Sequence, residues 1–311
     1  MKVAAVQMKA ALGNVRFNLE KARDLIREAF RQGCEMVILP EFFPTAVAFH
    51  PSLLKAAMPL EGPALQLMQE MAVEHGGYVG GSFIASVGRD NLNVFALAFP
   101  NGRYATHAKD QPTMWENCYY RGGKDEGILN TPLGPVGVAL CWELVRTRTA
   151  RRLRGRVDLL VGGSCWWTVP DRAIPLPGKR KAHLENLEVM RETPVRMARM
   201  VGVPVVHAAH AGEFTARMPL VPFLPYRSYF LGDTMIVGPT GEILAHLERK
   251  DGEGIAVAEV EPGRVEPQEE IPPGFWIPRL HPLIKLAWHY QNAHGRAYYV
   301  INKRLGRIRT G

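Results

Sequence analysis

The chain has 311 residues, 47% of them hydrophobic and 22% charged, with 30 Gly, 24 Pro and a formal net charge of +8. That balance excludes a disordered or low-complexity chain, and the longest run free of Asp, Glu, Lys and Arg (127–142) is broken by Pro and Gly and falls short of the ~18 apolar residues of a spanning helix. The basic excess sits at 146–156, 179–181 and 303–309 without interleaved aromatic residues, which reads as a solvated surface and not as a nucleic-acid interface.

The apolar run 3–7 opens the chain as a strand. Residues 18–32 follow as a helix, with Leu19, Ala22, Ile26, Ala29 and Phe30 on one face and Gly33 past its end. A buried strand at 36–39 precedes a second helix at 64–75, where Leu65, Met68 and Ala72 align and Gly76-Gly77 stops the turn. Strands at 78–83, 94–99 and 104–107 come next, the last two joined by the turn signal Asn101-Gly102. Strand 136–140 runs into Cys141, a short helix covers 147–154, and 157–161 is again a strand. A helix at 187–201 leads into a strand at 204–208. A hairpin of 229–237 and 242–247 turns at Thr240-Gly241, and a strand at 255–259 closes the pattern. The Pro-rich stretches 219–225 and 272–278 are short, carry aromatic residues and read as ordered loops. Alternating strands and helices with several hairpins predict an α/β protein whose mixed sheets are covered by helices. The expected division is a domain over 1–261 and a C-terminal extension over 262–311.

Three of these strands end at or near a reactive side chain. Residues 36–40 deliver Glu41, 104–107 lead to Lys109, and 136–140 deliver Cys141. Sites in α/β proteins collect at the carboxyl ends of strands, where a rigid sheet holds the loops. Each residue alone is ordinary, but together they have a chemistry that none has alone. A thiol is mostly protonated at neutral pH, a neighbouring carboxylate can take its proton, and an ammonium favours the thiolate and can hold an oxyanion. The strand–Cys–turn order resembles a nucleophile elbow, with the backbone N–H of Trp142 pointing the same way as the thiol, although G-x-S-x-G is absent. The four cysteines, Cys34, Cys118, Cys141 and Cys165, include no C-x-x-C pair, and no apolar leader precedes Lys9 and Arg16. A reduced, cytoplasmic protein is the expectation. His207-Ala-Ala-His210 lacks metalloprotease spacing and reads as one buried and one pocket-lining or loop histidine, so no metal is expected. Gly80-Gly81 and Gly162-Gly163 make no phosphate-binding motif.

Glu41, Lys109 and Cys141, in that order, resemble the Glu-Lys-Cys triad of the nitrilase superfamily of carbon–nitrogen hydrolases. The likeness runs from Val3-Ala4-Ala5-Val6-Gln7-Met8 through Leu39-Pro40-Glu41, the segment 109–116, Leu140-Cys141-Trp142-Glu143 and Gly232-Asp233-Thr234. Pro112-Thr113 and Cys-Trp-Glu are closest to the nitrilase branch. The resemblance implies a four-layer α-β-β-α sandwich of two mixed sheets flanked by helices. It also implies a fourth residue, Glu116, orienting the lysine and the substrate. Glu41 is then the general base, Cys141 the nucleophile of a thioester or thioimidate intermediate, and Lys109 with the Trp142 N–H the oxyanion partners, with no metal or organic cofactor. Cleavage of a nitrile is favoured. An amidase or N-carbamoyl amide hydrolase is the alternative, followed by an acyl transferase or a non-catalytic scaffold. Leu144-Val145 after Cys-Trp-Glu and Asp110-Gln111 after Lys109 depart from the nitrilase branch and leave that choice open.

By the same resemblance, the loop with Ser164-Cys165-Trp166-Trp167 lines the acyl pocket. Trp142 and Trp166 are the expected substrate-binding residues, and Phe42, Phe43, Trp115 and Tyr119 are expected to narrow the pocket. Few charges fall in these segments, which favours a neutral acyl group in a small-molecule nitrile or amide substrate. The aromatic, basic extension 262–311 predicts a subunit contact, hence a homodimer or higher homo-oligomer. A monomer by light scattering at micromolar concentration would overturn that expectation.

Overall fold

The computed structural model describes residues 1–168, 178–218 and 223–310. In chain order its first elements are β1 (Lys2–Met8), α1 (Val15–Arg31), β2 (Met36–Ile38), β3 (Met58–Pro59), α2 (Pro63–His75), β4 (Tyr78–Val87), β5 (Asp90–Ala98) and β6 (Tyr104–Ala108). Then come β7 (Ile128–Thr131), β8 (Gly134–Val138), α3 (Thr147–Leu153), β9 (Leu159–Ser164) and α4 (Lys179–Val201). The last are β10 (Val205–Arg217), β11 (Pro225–Val237), β12 (Ile243–Glu248), β13 (Gly254–Glu259) and α5 (Pro282–Arg304). Residues 219–222 of the first Pro-rich stretch lie outside the described residues.

Strand β1 is buried on both faces, which requires a layer on each side of it. It sits in a sheet of order β6-β5-β4-β2-β1-β13, with β3 on the edge of β4. The second sheet runs β7-β8-β9-β10-β11-β12. Among the described residues, the two pair where the end of β1 meets β10, at Gln7↔Ala209 and Met8↔His210. Between the sheets, Ala5, Ile38 and Leu97 pack with Val138, Val161 and Val206. Ala22, Ile26, Leu65 and Met68 of α1 and α2 cover the outer face of the first sheet. Ala150, Leu153, Met197 and Val201 of α3 and α4 cover the second. The architecture is therefore the expected α-β-β-α sandwich.

Local chemistry sets most of the helix ends. The Asn14 side chain accepts from Phe17 N at the start of α1, and Pro63 stands in the first turn of α2, where its missing N–H costs nothing. Helix α2 stops at Gly76 with φ +66°, a backbone state that glycine adopts without strain. Several expected elements are longer than the sequence pattern implies. Strand β5 starts at Asp90 because the polar Asn91 and Asn93 are buried members of the strand. Helix α4 starts at Lys179, and β9 extends through Gly162-Gly163 to Ser164. The short strands β3 and β7 and the long helix α5 are additions to the expected pattern.

The segment after β13 folds back over the sandwich. Ile277 N donates to Val145 O (2.8 Å) and Thr147 N to Phe275 O (3.1 Å). Helix α5 then lies on the 3-10 turn Met114–Cys118. Asn292 Oδ1 accepts from Met114 N (2.7 Å) and Asn117 Nδ2 (3.0 Å). Gly295 permits the approach, since a Cβ there would lie 2.7 Å from the Asn117 Cβ. The helix thus covers the end of the sandwich at which β2, β6 and β8 deliver their side chains, and it leaves Leu286, Ile301 and Leu305 exposed.

Candidate active site

Glu41, Lys109, Glu116 and Cys141 meet at that end, all of them buried. The Lys109 ammonium stands between two carboxylates, 2.8 Å from Glu41 Oε1 and 2.7 Å from Glu116 Oε2. Ligand atoms of Glu41, Glu116 and Cys141 all lie within 4.8 Å of one another. Such a trio could offer donors to a metal, but the ammonium already supplies the cation between the two carboxylates. Asn93 Nδ2 (2.9 Å) and Cys165 N (3.1 Å) donate to the two oxygens of Glu41, fixing the plane of its carboxylate. Thr113 N (3.0 Å) and the Tyr120 hydroxyl donate to Glu116 Oε2, while Glu116 Oε1 is buried with no hydrogen-bond partner among the described residues.

The backbone makes this convergence possible. Cys141 has φ +50°, in the left-handed region that costs a residue with a Cβ roughly 1–3 kcal/mol, the signature of a strained elbow. Gly162 and Gly163, which make no nucleotide motif, are there for closeness. A Cβ on Gly162 would lie 2.0 Å from Ala139 O, and one on Gly163 would lie 2.8 Å from Glu41 N. Only glycine lets the end of β9 lie this near the chain entering Cys141 and the loop carrying Glu41.

A second ionic cluster anchors the elbow. Glu143 accepts from Leu140 N (2.9 Å), Asp110 N (3.0 Å), His107 Nε2 (3.1 Å) and Arg152 (3.2 Å). Asp110 in turn pairs with Arg146 at 2.6 Å. The strand bearing Lys109 and the turn bearing Cys141 are thus tied through one carboxylate. Burial alone would lower the His107 pKa, but Glu143 and Asp125 raise it to about 9. Glu143, His107 and Arg146 sit off water and are compensated pairwise, the condition under which buried ions are tolerated, while Asp125 lies at the surface. Asp110 departs from the nitrilase pattern in the sequence, and its charge is answered here by Arg146 and Arg152.

Burial pushes the Glu41 carboxyl up, Lys109 pulls it only part of the way back, and the result is about 7. Burial and the Glu41 charge push the Cys141 thiol well above its ordinary value. Lys109 does act in the expected direction on the thiol but is outweighed, so Cys141 rests as a neutral thiol in the same cluster as the Glu41 carboxyl. Burial would lower the Lys109 pKa, yet Glu116 and Glu41 together raise it, so it stays an ammonium.

A cavity of about 50 Å³ opens on Cys141. Trp142, Trp166, Trp167, Tyr226, Asn186 and Gln291 line it. The Trp166 Nε1–H donates to Asn186 Oδ1 (3.0 Å), which fixes that ring. Trp115, Tyr119 and Phe43, expected to narrow the pocket, are not among the residues that line it. Trp115 stacks on Trp167 with centroids 4.2 Å apart, the Tyr119 hydroxyl braces the 48–50 backbone, and Phe43 belongs to the core under α1 and α2. The two histidines of 207–210 are both buried. His210 Nε2 lies 2.9 Å from Glu41 O, and His207 Nε2 lies 2.7 Å from Ser164 Oγ. Asn186 on α4 and Gln291 on α5 escape the sequence reading, because a polar residue on a charge-rich helix reads as solvated.

Residues 2–269 match the family model described as carbon-nitrogen hydrolase. An N-carbamoylputrescine amidase of Arabidopsis thaliana is 24% identical over 263 residues, 80% of this chain and 83% of the relative. A nitrilase of Pyrococcus abyssi (strain GE5 / Orsay) is 25% identical over 268 residues, 84% of this chain and 90% of the relative. Among solved structures, a mutant of the amidase from Nesterenkonia sp. AN1, with acrylamide added at its active site cysteine, aligns at TM-score 0.62 and 20% identity. That alignment covers 84% of this chain and 93% of the other. A CN-hydrolase superfamily protein from Xanthomonas campestris aligns at TM-score 0.65 and 15% identity, over 83% and 89% of the two chains. Among the described residues no helix is long and apolar enough to cross a membrane.

Proposed function

We propose a reaction for this chain from one premise: it belongs to the carbon–nitrogen hydrolase family. The reaction is hydrolysis of a primary amide with a neutral, apolar acyl group. The observation that carries the choice of amide is Glu116 Oε1, a buried acceptor with no partner in the cluster that contains the thiol. An amide –NH2 donates a hydrogen bond that this oxygen lacks, whereas a nitrile nitrogen has none to donate. The lining of the cavity supports the acyl assignment. It presents three tryptophans and no charged side chain among the described residues. The amine that remains on a carbamoylated diamine would be a buried, unpaired cation there.

The sequence of steps follows from the resting state. Glu41 takes the Cys141 proton as sulfur attacks the carbonyl carbon, so the thiolate need not exist beforehand. Lys109 and the backbone N–H of Trp142 hold the developing oxyanion. The Glu41 proton passes to the leaving nitrogen, ammonia departs, and a thioester joins the acyl group to Cys141. Water, deprotonated by Glu41, adds to the thioester and releases the acid and the thiol.

The test is ammonia release from a panel of primary amides, nitriles and carbamoyl amines, followed across pH. Release from apolar amides is expected, with kcat/KM rising about tenfold per pH unit until it levels near pH 7 as Glu41 ionises. Release confined to nitriles or to carbamoyl amines would overturn the amide assignment. A profile that falls through pH 7 would overturn Glu41 as the base.

A further inference from the structure

The steps above leave unused a polar group in the wall of the cavity on Cys141. On α5, Ile284, Ala287 and Gln291 recur at spacings of three and four, so they share one face of the helix, and all three line the cavity. The next residue, Asn292, accepts from Met114 N (2.7 Å) and Asn117 Nδ2 (3.0 Å), which pins the helix to its neighbour at this point. Asn186, Tyr226 and Thr168 spend their polar groups on the wall itself. Asn186 Oδ1 accepts from Trp166 Nε1 (3.0 Å), and Asn186 Nδ2 donates to Trp167 O (3.2 Å). The Tyr226 hydroxyl donates to Thr168 O (2.9 Å), and the Thr168 hydroxyl meets His183 Nδ1. Gln291 differs from them. Of the lining residues it is the one with a buried side-chain polar atom, Oε1, that has no hydrogen-bond partner among the described residues.

A buried acceptor left without a donor costs free energy that a ligand O–H or N–H recovers. The surrounding wall decides which donor fits. Three tryptophans and no charged side chain among the described lining residues make it a poor place for an ammonium, because one neutral acceptor does not offset the loss of water around a charge. A hydroxyl is neutral and adds a single heavy atom to a cavity of about 50 Å³. It also both donates and accepts, so it satisfies the glutamine amide whichever way the terminal O and N are turned. We infer that Gln291 is a specificity-determining residue that selects an acyl group bearing a neutral hydroxyl, with the rest of the acyl chain lying on the tryptophans. The inference rests on the proposed reaction for its choice of an amide as ligand, and it narrows the acyl group to an apolar chain with one hydroxyl.

Equilibrium binding to Cys141→Ala, which holds a ligand without turning it over, tests this by isothermal titration calorimetry. The ligands are unbranched primary amides of graded chain length, in pairs with equal numbers of heavy atoms that end in CH3 or in OH. At the length that reaches Gln291 the hydroxyl member is expected to bind about fivefold to tenfold more tightly than its methyl partner, the worth of one neutral hydrogen bond. Gln291→Met, added to Cys141→Ala, keeps the length of the side chain and removes both polar atoms, and it should reverse the preference. If that double variant does not fold, Gln291→Glu takes its place, and its carboxylate should turn the preference towards an amide ending in an amine. Methyl partners that bind as tightly as the hydroxyl members at every length, or no binding of any amide, would overturn the inference. So would a hydroxyl preference that survives Gln291→Met, which would place the partner of the hydroxyl elsewhere. An amide ending in an amine that Cys141→Ala binds more tightly than the hydroxyl amide would show a cation site and overturn it as well. Binding is read without turnover, so a measured preference stands whichever of amides, nitriles or carbamoyl amines the intact protein hydrolyses, and the ammonia panel alone decides the reaction.

Discussion

Cys141→Ala is expected to lower kcat by roughly 10⁵- to 10⁶-fold, the loss seen when a covalent nucleophile is deleted from an otherwise intact site. Nothing else in the cluster can take its place. Glu41 and Glu116 are each tied to the Lys109 ammonium, and Cys165 accepts through its sulfur from Val47 N at 3.2 Å. The fold should survive. Alanine keeps the Cβ that already tolerates φ +50° at this position, and removing one buried sulfur costs about 1 kcal/mol. Cys141→Ser is expected to be nearly as inactive. A base at about 7 sits within reach of a thiol, but a hydroxyl holds its proton far more tightly. The measurement is ammonia release against circular dichroism on the same preparations. A folded Cys141→Ala that keeps more than about one per cent of the rate would remove the cysteine from the chemistry.

The skeleton of the site is legible in the amino-acid sequence, and the reason is geometric. Glu41 and Cys141 each follow an apolar run that reads as a strand, Lys109 follows the strand 104–107 that the turn at Asn101-Gly102 introduces, and strands of one sandwich end together. The supporting groups are hidden because their neighbours break the same pattern. Gly162-Gly163 reads as the end of β9, yet the glycines carry the strand on to Ser164 because a Cβ at either position would strike the backbone. Asn91 and Asn93 read as the approach to a strand, yet they lie inside it, and Asn93 holds the Glu41 carboxylate. Helix α5 mixes basic, aromatic and amide residues along its length, so its inward face is not visible in the pattern. Only the fold shows that Asn292 grips the turn carrying Glu116 and that Gln291 reaches the cavity. Asp110 and Glu143 look like departures or solvated charges because their partners, Arg146, Arg152 and His107, are set by tertiary contact.

Lys109→Met is expected to separate stability from activity along the pH axis. The ammonium is fully buried and touches both carboxylates, so its removal leaves two acids facing each other without a cation. Breaking a buried pair in this way costs about 3–5 kcal/mol where the remaining groups stay charged. They need not stay charged. Two carboxylates in one dry site take up a proton, and each pKa rises. The sign follows from linkage. A carboxyl whose folded pKa is raised binds more protons folded than unfolded, so stability is fullest at low pH and is lost as pH rises from its unfolded value through the folded one. Glu41 already does this in the intact protein, between 4.5 and about 7. Without Lys109 the window moves higher and the loss deepens. The variant should therefore melt close to the intact protein at pH 5 and about 5–8 °C below it at pH 8. Under the proposed mechanism activity should not return at pH 5, because the ammonium assigned to the oxyanion is gone and the carboxyl assigned as base is protonated, a loss of at least about 10³-fold. Thermal melts at the two pH values, with turnover measured alongside, decide the matter. A melting deficit equal at pH 5 and pH 8 would mean that Lys109 matters for packing alone, and that the two carboxylates never compete for the proton it displaces.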